Sequence, residues 1–124
     1  MPVPIFKQGD VLIAGIQSSL TDGDLARLKD DLSHQVGQYR AHGIIIDVSS
    51  LDVLDSFASR TLRTISLISR LRGAETVVVG IQPDVAFAMV QMGLTMEELN
   101  TALDLEEGLA LLAARRPAIG AVQP

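Results

Sequence analysis

The chain has 124 residues, the length of one ordinary domain, and folding of such a domain buries roughly two-thirds of the surface of its chain. It contains no cysteine and no tryptophan, which excludes disulfides, thiol catalysis and cysteine-based metal sites and argues against an aromatic platform for nucleic-acid bases. A formal net charge of -5 gives nucleic acids and anionic membranes no general attraction to this surface, so a protein or a small molecule is favoured as the partner.

The first half of the chain predicts a hairpin, a helix and a buried strand. Two apolar stretches within residues 3–16 are separated by a Gln-Gly-Asp turn, which is typical of a β-hairpin. A Thr-Asp-Gly-Asp capping box then precedes apolar residues at helical spacing and predicts a helix over about residues 22–42. The β-branched run at residues 44–48 predicts a strand covered on both faces, and residues 49–54 predict a loop.

The second half of the chain predicts three further helices and two strands from the same apolar spacing and from the glycines and proline that flank it. The predicted bounds are about 56–72 for the second helix, 76–81 for the next strand, 83–92 for the third helix and 101–103 for a short last strand. Asp104 can then cap a fourth helix that runs to about Arg115.

The alternation of strands and helices after the hairpin predicts an α/β fold. We expect a single domain over residues 1–116, with a mixed, mostly parallel sheet, an antiparallel strand from the N-terminal hairpin and about four helices. Residues 117–124 predict a disordered C-terminal tail. Functional side chains of such sheets collect in loops after the carboxyl ends of the strands, and here those loops start at Asp47 and Gly80.

Most of the side chains that could act chemically lie between the third predicted strand and the second predicted helix. Residues 46–57, IDVSSLDVLDSF, hold three carboxylates and three hydroxyls. Either Asp55 or Ser56 can be the N-cap of the helix, which would explain them structurally. Alternatively, Ser56 accepts a phosphoryl group from a kinase, since a phosphate there would meet exposed N–H groups and the positive end of the helix dipole.

The second predicted helix carries an unusual charge distribution. From Ser56 to Ala74 the chain has four arginines and no acidic residue. Arg60 and Arg63 lie four and seven residues after Ser56, so the three side chains share one helix face. This face is either a solvated surface or a docking surface for an acidic partner, and a phosphate on Ser56 would change the charge at its end.

Two other features favour structural interpretations. The third predicted helix is apolar nearly all round, which predicts burial, although Phe87 or Met89, if exposed, would offer an apolar contact to a partner or to another copy. His34 and His42 are predicted to face solvent, and no metal site is expected.

Several common catalytic motifs are absent from the chain. The chain lacks the glycine-rich loops that cradle phosphates and the nucleophile elbow of hydrolases, and nothing in the spacing pairs Ser56 with a histidine base. We therefore expect no catalytic residue, no cofactor and no enzyme activity. The N-terminus lacks the apolar core of a signal peptide, and the longest apolar run, residues 109–114, is too short to cross a bilayer, which predicts a cytoplasmic protein.

The run IIIDVSSLDVLDSFASRTL resembles the signature of STAS domains, the family of bacterial anti-sigma-factor antagonists. The likeness extends over about residues 3–115 and points to the RsbS type, the small scaffold of the stressosome. GIQPDVAFAMVQMG at residues 80–93 and ALDLEEGLALL at residues 102–112 are similar to the corresponding stretches of that subgroup.

This resemblance implies a phosphorylation switch. Ser56 would be the phosphorylated residue, with Asp55 beside it and Asp47 on the preceding strand as supporting residues. Arg60 and Arg63, together with the neighbouring aromatic Phe57, are then the predicted docking residues.

The resemblance also implies partners. An RsbT-type serine/threonine kinase would be held while Ser56 is unmodified and released after phosphorylation, and a cognate phosphatase would reset the state. Larger RsbR-type paralogues would join the chain in an oligomeric assembly. Those paralogues commonly carry a second phosphorylatable threonine where this chain has Ala88, so that second site is absent here.

Two other functions stay open at this stage. The chain could be a STAS-like domain that binds a nucleotide or a lipid, although the acidic loop argues against an anionic ligand. It could also be a purely structural scaffold in which Ser56 only caps a helix.

Overall fold

A computed structural model describes residues 3–94 and 99–115, which form one five-stranded sheet and four helices. The predicted tail at residues 117–124 lies outside the described residues. The elements are β1 (Ile5–Gln8), β2 (Val11–Gly15), α1 (Asp22–Tyr39), β3 (Gly43–Asp47), α2 (Ser56–Leu71), β4 (Glu75–Val79), α3 (Pro83–Gln91), β5 (Asn100–Ala102) and α4 (Leu105–Arg115).

The sheet is mixed and mostly parallel, which confirms the predicted fold class. The strand order is β1-β2-β3-β4-β5, and β1 is antiparallel to β2 while the other neighbours run parallel. In the centre of the sheet Leu12 lies beside Ile44, which lies beside Thr76. Parallel neighbours require crossover connections, and α1, α2 and α3 supply them.

Both faces of the sheet are apolar because helices cover both. Leu12, Ile44 and Ile46 point to one face and belong to the larger core cluster, with side chains of α1, α2 and α3. Alternate strand residues, such as Ile45, point to the other face and pack with Leu112 of α4. This two-sided burial explains the continuous β-branched run of β3 in the sequence.

The ends of α1 follow from local chemistry. The Thr21 hydroxyl accepts the Asp24 N–H at 3.1 Å and the Asp24 carboxylate accepts the Thr21 N–H at 3.0 Å, which confirms the predicted capping box. The Thr21 backbone N–H, which donates to the charged carboxylate, holds the pKa of Asp24 below its ordinary value. The helix ends at Tyr39, earlier than predicted, because Arg40 adopts a left-handed φ of 51°.

One of the four arginines of the basic segment joins α1 to the end of α2. Arg72 donates from Nη1 to the Ser33 carbonyl of α1 at 2.6 Å. Its guanidinium also lies against Gly37, where a side chain would collide with it. Arg72 therefore serves the packing of the two helices.

The burial predicted for the third helix is wrong for part of it. Val85 and Met89 are buried, but Phe87 is 65% and Val90 is 74% exposed. The reason is that α3 packs against the core through one side only, so the apolar residues on its other side stay in contact with solvent.

The two histidines differ in environment. His34 is exposed, as predicted. The prediction is wrong for His42, which is half-buried with Nδ1 2.9 Å from a carboxylate oxygen of Asp10. The two residues meet because the His42 N–H donates to the Asp10 carbonyl oxygen at 2.9 Å.

Candidate functional site

The two loops expected to carry function meet at one edge of the sheet. β3 ends at Asp47 and β4 ends at Val79, and these two residues are partners in the parallel register. The β3–α2 loop therefore starts beside the β4–α3 loop, because the two parallel strands end at the same edge of the sheet.

Asp47 shapes the start of the β3–α2 loop. Its half-buried carboxylate accepts the Ser49 N–H at 2.8 Å, a turn in which an aspartate side chain replaces a backbone acceptor. From the neighbouring loop Gln82 donates through Nε2 to the Ser49 carbonyl oxygen at 2.7 Å. The Gln82 side chain thus joins the two loops, and the β3–α2 loop is held at its beginning.

Gly80 allows this close approach of the two loops. Its φ is +75°, in the left-handed region that favours glycine. A Cβ at this position would lie 2.8 Å from Cβ of Ser49 and 3.1 Å from Oδ1 of Asp47. The sequence predicts only a loop that starts at Gly80, and no local pattern in it signals the roles of Ser49 and Gln82.

At the N-terminus of α2 the two candidate capping residues have different roles. Asp55 is the N-cap, and its Oδ1 accepts the Ala58 N–H at 2.8 Å. Ser56 is the first residue of the helix and is exposed. Because the cap is provided by Asp55, the Ser56 side chain stands at the positive end of the helix dipole without the capping role.

This division of roles predicts unequal effects of two alanine substitutions. We expect Asp55→Ala to lower the free energy of unfolding by about 1 kcal/mol, since it removes the cap. Ser56→Ala should change it by less than about 0.5 kcal/mol. Urea unfolding of both variants measures the difference, and a larger loss for Ser56→Ala than for Asp55→Ala would contradict the assignment of the cap.

An exposed basic ridge runs along α2 from this end. We define the basic ridge as Arg60, Arg63, Leu67, Arg70 and Leu71, all of which are exposed. Their spacing of three and four residues places them on one side of the helix that begins at Ser56. The predicted arrangement of Ser56, Arg60 and Arg63 on one exposed helix face is therefore present.

Phe57 lies partly outside this surface. The residue is half-buried and packs against the larger core cluster. Its carbonyl oxygen accepts the Thr61 hydroxyl at 2.9 Å, a local contact within α2. Only part of the ring is left for a partner, so the arginines contribute more of the exposed surface than Phe57 does.

Neither a metal site nor a membrane span is seen in the part of the chain that the structure describes. Residues 3–94 and 99–115 contain no group of three or more His, Asp or Glu side chains placed to hold a metal ion. In the same ranges no helix is both long and apolar enough to cross a membrane.

Comparison with solved structures gives close matches over nearly the whole chain. A serine-to-glutamate variant of RsbS from Moorella thermoacetica matches with a TM-score of 0.82 and 37% identity, covering 92% of this chain and 98% of that chain. A chain from the molecular architecture of the stressosome, a signal integration and transduction hub, matches with a TM-score of 0.80 and 37% identity, covering 90% of this chain and 97% of that chain.

Comparison by sequence agrees with the structural matches. The RsbT co-antagonist protein RsbRA of Bacillus subtilis is 22% identical over 107 residues, which are 86% of this chain and 38% of that protein. The chain thus spans 38% of the length of this relative. The model of the STAS domain family matches residues 3–108. With that match over most of its length, and with the α/β layers and loop geometry described above, the chain belongs to the STAS domain family.

Proposed function

We propose that the protein is a regulatory scaffold of the RsbS type that holds a serine/threonine switch kinase and releases it when Ser56 is phosphorylated. The observation that carries this proposal is the exposed Ser56 at the first position of α2, next to a different residue that caps the helix. The 37% identity to RsbS over 98% of that chain supports the choice of this type within the family.

A phosphate on Ser56 would act as a surface switch. The modification adds a charge of about -1.5 to -2 at neutral pH. That charge would stand at one end of the basic ridge and next to the exposed Asp55. An acidic partner docked on Arg60 and Arg63 would be repelled without any refolding of the domain, because the cap of α2 is not involved.

Asp47 and Asp55 support the switch by positioning the backbone. Asp47 holds the turn at Ser49, and Asp55 holds the first turn of α2 through Ala58. Both carboxylates accept hydrogen bonds from main-chain N–H groups, Asp47 at the start of the β3–α2 loop and Asp55 beside Ser56. Phosphoryl transfer itself belongs to the kinase and ATP, and on this proposal the chain is a substrate and not an enzyme.

The names of the relatives support a proposal for the wider setting of this switch. RsbRA is an RsbT co-antagonist, and one of the similar chains comes from a stressosome. We propose an RsbT-type kinase as the partner at Ser56, a phosphatase that resets the switch, and RsbR-type STAS proteins as companions in a cytoplasmic oligomeric assembly. RsbRA is much longer than this chain, so a complex of both would combine this domain with additional ones.

Binding of a small molecule at the start of α2 is less well supported than the switch. The hollow beside Asp55 encloses about 180 Å³ and is lined largely by apolar side chains. Pockets for drug-sized ligands enclose roughly 300–1,000 Å³. A nucleotide or lipid headgroup at the start of α2 would therefore lie mostly outside the hollow.

Phosphate incorporation tests the proposal. The chain is incubated with an RsbT-type kinase and labelled ATP, and the wild type is compared with Ser56→Ala and with Ser50→Ala, an exposed serine of the same loop. We expect phosphate on the wild type and on Ser50→Ala, and almost none on Ser56→Ala. Equal incorporation into all three proteins would show that Ser56 is not the acceptor.

A further inference from the structure

An apolar cleft lies between α3, β5 and the start of α4. Its volume of about 410 Å³ falls in the range of roughly 300–1,000 Å³ that is typical of sites for small organic molecules. Buried Met89 and Leu99 line it together with Val90 and Leu103, which are 74% and 80% exposed, so the cleft extends from solvent down to the core. The other apolar lining residues are Ile81, Ala86, Leu94 and Ala102.

Two polar side chains, Thr101 and Glu107, line the cleft in the part of the chain that the structure describes. The start of α4 holds Glu107 in place: Oε1 accepts the Leu103 N–H at 3.2 Å, and the Glu107 N–H donates to Oδ1 of Asp104 at 2.9 Å. A carboxylate has about four acceptor positions on its two oxygens, so one such hydrogen bond leaves capacity for a ligand. The cleft therefore carries a positioned negative charge.

The charge of the cleft determines which class of small molecule fits it. Within residues 3–94 and 99–115 Glu107 is the one charged residue that lines the cleft, and no arginine or lysine there could balance an anion. A cation near Glu107 would be attracted and an anion repelled, and the net charge of -5 acts in the same direction. The apolar lining favours a molecule whose remaining surface is apolar, because that surface leaves water on binding.

We propose that the cleft binds a small apolar molecule that carries a protonated amine. The apolar body of the molecule would lie against Met89 and Leu99, and the ammonium group would lie near Glu107. None of the described residues that line the cleft belongs to the β3–α2 loop or to α2. The site is therefore separate from Ser56, and the proposal does not rest on phosphorylation of that residue.

The β4–α3 loop lies between this cleft and the β3–α2 loop. Ile81 lines the cleft, and the Gly80 N–H donates to the carbonyl oxygen of Leu103, another lining residue, at 3.1 Å. On its other side the same loop holds the β3–α2 loop through the hydrogen bond from Gln82 to the Ser49 carbonyl oxygen. A molecule in the cleft would thus contact the segment on which the β3–α2 loop rests.

Nuclear magnetic resonance titration of the full, unphosphorylated chain labelled with nitrogen-15 tests the proposal. The probes are octylammonium, octanol and octanoate, which share one apolar chain and differ in charge. Octylammonium should bind with a Kd of about 1 mM or lower and shift the amide signals of lining residues such as Ala86 and Thr101. Because an exposed ion pair contributes only a small factor, octanol should bind about threefold and octanoate about tenfold more weakly.

Two variants and one control separate the charge from the apolar contact. Glu107→Gln keeps an oxygen for the Leu103 N–H but loses the charge, so the three probes should bind it within about twofold of one another. Leu103→Ser removes an exposed lining side chain and should weaken the binding of all three probes at least about threefold. The control Leu71→Ser removes a leucine of similar exposure from α2, outside the cleft, and should change none of the affinities.

Failure of all three probes to bind at about 10 mM would overturn the proposal and leave the cleft to a protein partner. Shifts confined to residues outside the cleft, tighter binding of octanoate than of octylammonium, or a preference for octylammonium that persists in Glu107→Gln would also overturn it. The titration contains no kinase, so its failure would leave the proposed phosphorylation of Ser56 unaffected.

Discussion

Ser56→Asp should bind an RsbT-type kinase about 100-fold more weakly than the wild type does, which corresponds to about 2.7 kcal/mol of binding free energy. The substitution places a fixed negative charge at the end of the basic ridge, where an acidic partner contacting Arg60 would be repelled. Asp55 still caps α2 in this variant, so the circular dichroism spectrum should be unchanged. Isothermal titration calorimetry with the purified kinase measures the affinity.

Two controls separate charge from shape and from position. The asparagine of Ser56→Asn has nearly the size of the aspartate of Ser56→Asp but carries no charge. This variant should therefore bind the kinase within about threefold of the wild type. Ser50→Asp adds the same charge to an exposed serine of the β3–α2 loop, away from the helix, and should weaken binding less than Ser56→Asp does. Equal weakening by Ser50→Asp would indicate a general effect of net charge, and loss of the helical signal in Ser56→Asp would indicate a structural role.

The second large effect is expected at Gly80. Gly80→Ala should lower the free energy of unfolding by about 3 kcal/mol, because it combines a left-handed backbone with a collision between the new methyl group and Ser49. The collision would also displace the β3–α2 loop. Kinase binding at Ser56 should therefore weaken in the same variant even under conditions in which it is fully folded.

Gly73→Ala is the matched control for Gly80→Ala. Gly73 also has a positive φ, of +89°, but a Cβ there would meet nothing within 4 Å. Gly73→Ala should lower the free energy of unfolding by about 1 kcal/mol, and this loss should come from the backbone conformation alone. Urea unfolding measures the free energy of unfolding of both variants, and the difference between their losses gives the steric contribution at Gly80. Equal losses would mean that the β3–α2 and β4–α3 loops can separate at little cost in free energy.

Much of the fold is readable from the sequence because its signals are local. The capping box before α1 involves residues three apart, and the β-branched run of β3 identifies a strand covered on both faces. The alternation of strands and helices then leaves few topologies with right-handed crossovers. At the site, the exposed face with Ser56 and Arg60 also follows from spacing along one helix.

The features that the sequence could not predict depend on contacts between distant segments. Gln82 reaches the Ser49 carbonyl across 33 positions of the chain, and no local pattern signals that pair. Asp55 and Ser56 are both good caps, so only the backbone conformation decides between them. The exposure of Phe87 depends on what covers α3, because a helix without a polar face does not reveal which side packs.

The order of the strands has a consequence for how the chain assembles during synthesis. Each strand pairs with the one made just before it, so the sheet can grow from β1 to β5 as the ribosome releases the chain. The sheet face that bears Ile45 and Val77 stays uncovered until α4, the last described element, has been synthesised. A nascent or truncated chain that lacks this helix would present an open apolar sheet to chaperones, and to other chains with which it could aggregate.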